Sequence, residues 1–285
     1  MRALVLSGGG SRGAYQVGVL QKVMKDEGRD YDILCGVSVG ALNTAGLAQF
    51  KLGDSKAAWE WLHQLWLGIN TKKIYKKWAF WPLSVPSKAS VFNTAPLRDL
   101  VTKTLNEEAV RVSGRKLRIG AVSWETGEYT LATETSTNLA WWVLASSSYP
   151  VMFEPIRVGG EVRTDGGARN VTPLAAALEL GATEIDVIMS ADPDVRGSWD
   201  PKGKFSYDYL FRYLSVSGDE IMRNDLRCLG IDNPFVEPKP EYKNVKIRVQ
   251  KPRHSMTKFD SLSFDPAMIR EMIKLGHKEA YEENF

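Results

Sequence analysis

Asp32-Ile33-Leu34-Cys35-Gly36-Val37-Ser38-Val39-Gly40-Ala41 is the stretch on which the fold turns. Its first four residues form a short, mostly apolar run, as a buried strand requires, and an Ala-rich helical stretch from Ala41 to Leu52 follows. Between them lies G-x-S-x-G. Glycines on either side let a strand enter a helix through a tight turn, and that turn lifts the serine above the sheet. The same grammar occurs once upstream. Ala3-Leu4-Val5-Leu6-Ser7 reads as a strand and Gly8-Gly9-Gly10-Ser11-Arg12-Gly13 as a glycine turn, after which Ala14, Val17, Leu20 and Val23-Met24 recur at helical spacing. Strand, glycine turn and helix twice within fifty residues are βαβ units building a parallel sheet.

Later segments extend that plan. Leu117 to Val122, Tyr129 to Ala132, Ile185 to Met189 and Val245 to Val249 read as strands. Thr172-Pro173 opens a helix that runs through Leu180 and stops at Gly181, Tyr207 to Leu229 is amphipathic, and Asp265-Pro266 caps a last helix. The expectation is an α/β chain with a central, mostly parallel sheet, organised as one domain over residues 1–285, with Gly68 to Ser90 as a mobile excursion.

Composition narrows the function classes. The 285 residues are 44% hydrophobic and 25% charged, as in an ordinary globular protein with a large core. A formal charge of +3 gives no reason to expect a nucleic-acid partner. No apolar run approaches the roughly 20 residues of a membrane-spanning helix, and Gly8 interrupts the N-terminal run before it becomes a signal sequence. Two cysteines, Cys35 and Cys228, offer neither a disulfide framework nor metal spacing. Cys35 is expected to be a buried strand residue, and a reducing cytoplasm is the simplest location.

Ser38 is the candidate nucleophile, at a helix N-terminus whose dipole favours developing negative charge. The Gly8-Gly9-Gly10-Ser11-Arg12-Gly13 loop exposes successive backbone N–H groups and suits an oxyanion. Arg12 either steadies that loop or greets a phosphate head group, or it is a solvated helix-start arginine. Gly8, Gly10 and Gly13 also spell the dinucleotide fingerprint G-x-G-x-x-G. That reading needs an acidic residue at the far end of the second strand, whereas Asp32 precedes the strand and the elbow occupies its end. His63, His254 and His277 are the only histidines. Ser38, Asp165 and His254 could be ordered as a triad, but all three histidines sit among charged or basic neighbours and read as surface residues. In Val162-Arg163-Thr164-Asp165-Gly166-Gly167 a short strand delivers an aspartate onto two glycines. Asp165 is either the base or part of an Asp-Gly hairpin turn.

Together these residues resemble the patatin-like phospholipase family, whose pattern is a GGG-x-[KR]-G loop, a G-x-S-x-G elbow and a D-G-[GA] base in this order. Ala145-Ser146-Ser147-Ser148-Tyr149-Pro150, Phe153-Glu154-Pro155 and Gly276-His277-Lys278-Glu279-Ala280 are also similar to the family's sequences, so the resemblance spans essentially the whole chain. It implies a three-layer α/β/α sandwich and a Ser38–Asp165 dyad without histidine. In it Gly8, Gly9, Gly10, Arg12 and Gly13 form the oxyanion loop and Gly36 and Gly40 the elbow. It also implies phospholipid or another acyl-ester lipid as substrate. No metal or other cofactor is implied, since neither the attack nor the anion hole needs one. An idle lipid- or protein-binding module and an acyltransferase using the same acyl-enzyme are the alternatives.

Five of the nine tryptophans fall between Trp59 and Trp81, interleaved with Lys72, Lys73, Lys76 and Lys77. Trp59, Leu62, Leu65 and Trp66 have helical spacing and read as core. Lys72, Lys73, Lys76, Lys77, Trp78 and Trp81 are candidates for contact with a membrane surface, tryptophan for the interface and lysine for anionic head groups.

Overall fold

Alternation along the first strands divides the molecule into layers. In the computed structural model, which describes residues 1–81, 83–190, 244–253, 256, 260–281 and scattered positions between 202 and 224, β1 (Arg2–Leu6) and β2 (Ile33–Gly36) pair in parallel. Leu4, Leu6 and Leu34 join one buried cluster, whereas Ala3, Val5, Ile33 and Cys35 join another on the opposite face. A strand buried on both faces needs helices on both faces, and it has them. The first cluster holds α1 (Gly13–Leu20), α2 (Val39–Ala48) and α3 (Ser55–Leu67); the second holds α8 (Leu174–Glu179).

The sheet also contains β3 (Lys116–Ser123), β4 (Tyr129–Thr133), β5 (Ile156–Val158), β6 (Glu161–Asp165), β7 (Glu184–Ile188) and β8 (Lys246–Gln250). The order is β5-β6-β3-β2-β1-β7-β8, with β4 also on β3. Pairs among β3, β2, β1, β7 and β8 are parallel, and β4, β5 and β6 pair antiparallel. The fold is therefore α/β with a mixed, mostly parallel central sheet between helical layers.

One register positions the site. Along its first half β3 pairs with β2, ending at Gly36 opposite Ile119. Its partner β4 occupies the other edge, facing Arg118 to Val122. Because β2 turns away into the elbow, the vacated edge is taken by β6, which brings Asp165 opposite Ala121. Ser38 and Asp165, 127 positions apart in sequence, thus meet at one strand end.

Several helices were not legible as such. Besides α4 (Thr71–Ile74), they are α5 (Ala95–Thr104), α6 (Glu107–Val112) and α7 (Leu139–Ser146). In α7 the sequence LAWWVLAS is apolar all round, so it shows no helical stripe. The helix expected to end at Leu52 stops at Ala48. The last helix, α9 (Pro266–Glu279), is capped by Asp265, which accepts the N–H groups of Ala267 and Met268. It packs on α1 at backbone contact, since a Cβ on Gly276 would lie 2.1 Å from the Tyr15 carbonyl oxygen. Tyr207 to Leu229 and His254 lie, apart from scattered positions in the former, outside the described residues, as does Cys228.

Candidate active site

Ser38 has φ 58° and ψ −128°, a backbone state that an L-residue adopts only when its surroundings impose it. The packing is visible. A Cβ on Gly40 would meet the Leu6 carbonyl oxygen at 2.2 Å, so this elbow position admits only glycine. From the far side, Ser146 and Ser147 hold the Ser38 main chain: its N–H donates to Ser146 Oγ (3.0 Å), and the single Ser147 hydroxyl proton is shared between its carbonyl (3.1 Å) and that of Val143 (2.9 Å).

The next residue of the same turn holds the aspartate. Ser148 offers its carbonyl to the Asp165 N–H (3.1 Å) and to the Thr164 hydroxyl (2.7 Å). Asp165 Oδ1 accepts the Gly167 N–H at 2.8 Å, and a short 3₁₀ turn, Gly166–Ala168, follows in place of a hairpin. Oδ2 is buried and meets no donor at full hydrogen-bond geometry. Burial lifts the Asp165 carboxyl from an ordinary 3.8 to about 7, while the Ser38 hydroxyl and the Gly167 N–H pull more weakly in the other direction. Such a carboxyl exchanges its proton near neutral pH.

The glycine loop divides its labour. Gly8 donates to the Val171 carbonyl (3.1 Å), Arg12 to Gly9 (3.2 Å), and Gly13 to Gly10 and Ser11, so these three shape the loop. The N–H groups of Gly9 and Gly10 have no acceptor among the described residues, and the same holds for Val39, the first residue of α2. Val39 was missed in the sequence, although a residue directly after an elbow serine is a standard donor position. Arg12 lines the cavity beside Ser38.

Among the described residues the other candidate bases lie away from the cavity. His63 stacks on Trp59 (ring centroids 4.7 Å apart), and His277 lies 2.9 Å from Asp26; neither lines the cavity. Asp32 accepts the Arg2 N–H at 2.7 Å, at the end of the strands away from the glycine loop, which leaves the dinucleotide reading without its carboxylate. Among the described residues no group of three or more His, Cys, Asp or Glu side chains converges as a metal site would need.

Ser38 and Asp165 border a cavity of about 590 Å³. Leu42, Ala45 and Gly46 line it from α2 and Gln49 from the cap just beyond, Leu97, Leu100, Val101 and Thr104 from α5, and Trp61, Leu62, Leu65 and Trp66 from α3. Trp59, Leu62 and Trp66 are buried, as their spacing predicts, and Leu65 is half-buried. Lys72, Lys73, Lys76 and Lys77 are exposed, Trp78 is half-buried and Trp81 is 38% exposed.

The chain is similar to two kinds of known protein. The chain matches the structure of VipD from Legionella pneumophila at 15% identity and a TM-score of 0.45, over 98% of this chain and 66% of that one, so it spans just under two thirds of that protein. Residues 4–178 match the family model described as Patatin-like phospholipase. That match covers more than half of the chain and takes in the glycine loop, the elbow and the aspartate: the chain belongs to the patatin-like phospholipase family.

Proposed function

We propose that this chain is a lipid acyl hydrolase that cleaves fatty-acyl esters through a Ser38 acyl-enzyme, with Asp165 as the only proton-transfer partner. The observation that carries the reading is a strained serine and a cation-free buried carboxyl at the border of a long apolar cavity. Ser38 Oγ attacks the ester carbonyl as its proton passes to Asp165. The carbonyl oxygen gains charge against the Gly9, Gly10 and Val39 N–H groups, and the leaving alcohol takes the proton back from Asp165. Water then repeats the sequence and releases the fatty acid. A carboxyl titrating near 7 suits both halves, because a general base works best when its pKa lies near the operating pH.

The cavity supports an acyl chain rather than a polar substrate. Leu42, Ala45, Gly46 and Gln49 recur at i, i+3, i+4 and i+7, so the space follows one face of α2 to its C-cap, about 16 Å beyond Ser38. We also read residues 1–285 as one such domain, because β1 and β8 share a sheet and α9 closes on α1. No helix among the described residues is long and apolar enough to cross a membrane.

The test is hydrolysis of p-nitrophenyl acyl esters. Ser38→Ala and Asp165→Asn should each lower kcat by about 10³-fold or more while leaving the fold intact. Near-normal turnover by Asp165→Asn, or abolition by a folded His254→Ala variant, would overturn the dyad. Product analysis with a competing alcohol separates hydrolysis from acyl transfer.

A further inference from the structure

Charge is distributed unevenly along this chain. From Trp61 to Arg98 there are five lysines, one arginine and no carboxylate, while the whole chain carries only +3. The remainder is therefore net negative, and one segment concentrates the positive field.

Within that stretch, residues 76–93 form a closed arm. Lys76 and Asn93 exchange both backbone hydrogen bonds (3.0 and 2.9 Å), and higher up the arm Trp78 Nε1 donates to the Ser90 carbonyl (3.0 Å). The base is fixed beside the cavity. Val91 and Phe92 donate to the carbonyls of Val151 and Met152, and the Tyr75 hydroxyl donates to the Leu262 carbonyl (2.7 Å). Tyr75 also packs on Phe153, which lines the cavity as Leu262 does.

The arm turns its apolar side chains outward. Phe80 is 88% and Leu83 87% exposed, the highest values of any large apolar side chain among the described residues. Phe80 also has φ 60°, a costly state for an aromatic residue, and the ring nonetheless points into solvent. The tryptophans play a different part. Lys77 sits 4.3 Å over the Trp81 ring and Lys88 5.2 Å over Trp78, so cations flank the exposed tip.

We propose that this arm docks the protein on an anionic bilayer, with Phe80 and Leu83 entering the interface and Lys72, Lys73, Lys76 and Lys77 held at the head groups. An apolar tip flanked by Lys77 and Lys88, on a segment that carries no acid from Trp61 to Arg98, matches a negatively charged lipid surface. A protein partner fits less well, since lysine is depleted at protein interfaces. Binding is separable from the hydrolase reading, because it is measured without turnover.

The experiment is co-sedimentation of the full chain with phosphatidylcholine vesicles, with or without phosphatidylglycerol. Binding is expected only with the anionic lipid and should fall steeply with salt. One lysine near such a surface contributes about fivefold in affinity, so changing Lys72, Lys73, Lys76 and Lys77 to Gln should weaken binding by about two to three orders of magnitude. Phe80→Ser/Leu83→Ser should weaken it about tenfold or more, with thermal stability unchanged because both side chains are already exposed. Equal binding to neutral and anionic vesicles, no vesicle binding, or unaltered binding by either variant overturns the proposal. Short soluble esters should be cleaved by the Phe80→Ser/Leu83→Ser variant as by the wild type. If neither protein cleaves any ester while vesicle binding follows this pattern, the hydrolase reading fails and the docking arm stands.

Discussion

Two buried aspartates share one sheet and meet opposite fates. Asp186, on β7, is fully buried and receives Arg29 Nε (2.9 Å), Arg248 Nε and Nη2 (2.7 and 2.9 Å) and the Tyr31 hydroxyl (2.7 Å). Asp165, 3% exposed at the end of β6, is offered one backbone N–H and the nearby Ser38 hydroxyl, and no cation. Burial alone therefore does not mark a base. A carboxylate becomes reactive when its environment withholds the counter-charge that a structural carboxylate is given.

The largest stability effect should come from removing the unbalanced charge. In the unfolded chain Asp165 ionises near 3.8, and in the native state it keeps its proton to about 7. Between those values the native state binds the extra proton, so stability falls as pH rises and the loss is complete above pH 7. Asp165→Asn should abolish that loss. It is expected to be more stable than wild type by up to about 4 kcal/mol in urea unfolding above pH 8, with the difference vanishing below pH 4. Asp186→Ala should act in the opposite direction and cost about 3 kcal/mol at neutral pH by stranding Arg29 and Arg248. Its turnover per folded molecule should stay near wild type, and a large fall in kcat would dissolve the contrast between the two aspartates. The smallest effect is expected at Ser147, a positioning residue. Ser147→Ala should lower kcat about tenfold with little change in KM, and Ser147→Thr should restore most of it, since either hydroxyl can donate to the Ser38 carbonyl.

The same contrast explains what the sequence could disclose. The elbow and the glycine loop were readable because each glycine answers a local demand of the backbone, and local demands leave local patterns. Asp165 was only half readable. Asp-Gly serves a hairpin as well as it serves a strand running into a 3₁₀ turn, and the deciding fact, that β6 fills the edge vacated by β2, lies far along the chain. The roles of Ser146, Ser147 and Ser148 were invisible in the same way. Three consecutive serines of at most 6% exposure are unusual, yet nothing nearby names their partners. Lys72 to Trp81 stood out by composition, whereas Phe80 and Leu83 acquire their meaning from exposure, which no periodicity records.

The turn formed by Ser146, Ser147 and Ser148 has a consequence for how the site responds to disturbance. Its first two residues hold Ser38 and its third holds Asp165, so the two residues are tied to one common turn. A change in α7 therefore reaches both side chains at once, although Ser38 is also fixed by the elbow packed on β1 and Asp165 by the pairing of β6 with β3. Substitutions that displace this turn should accordingly disturb Ser38 and Asp165 together rather than one at a time.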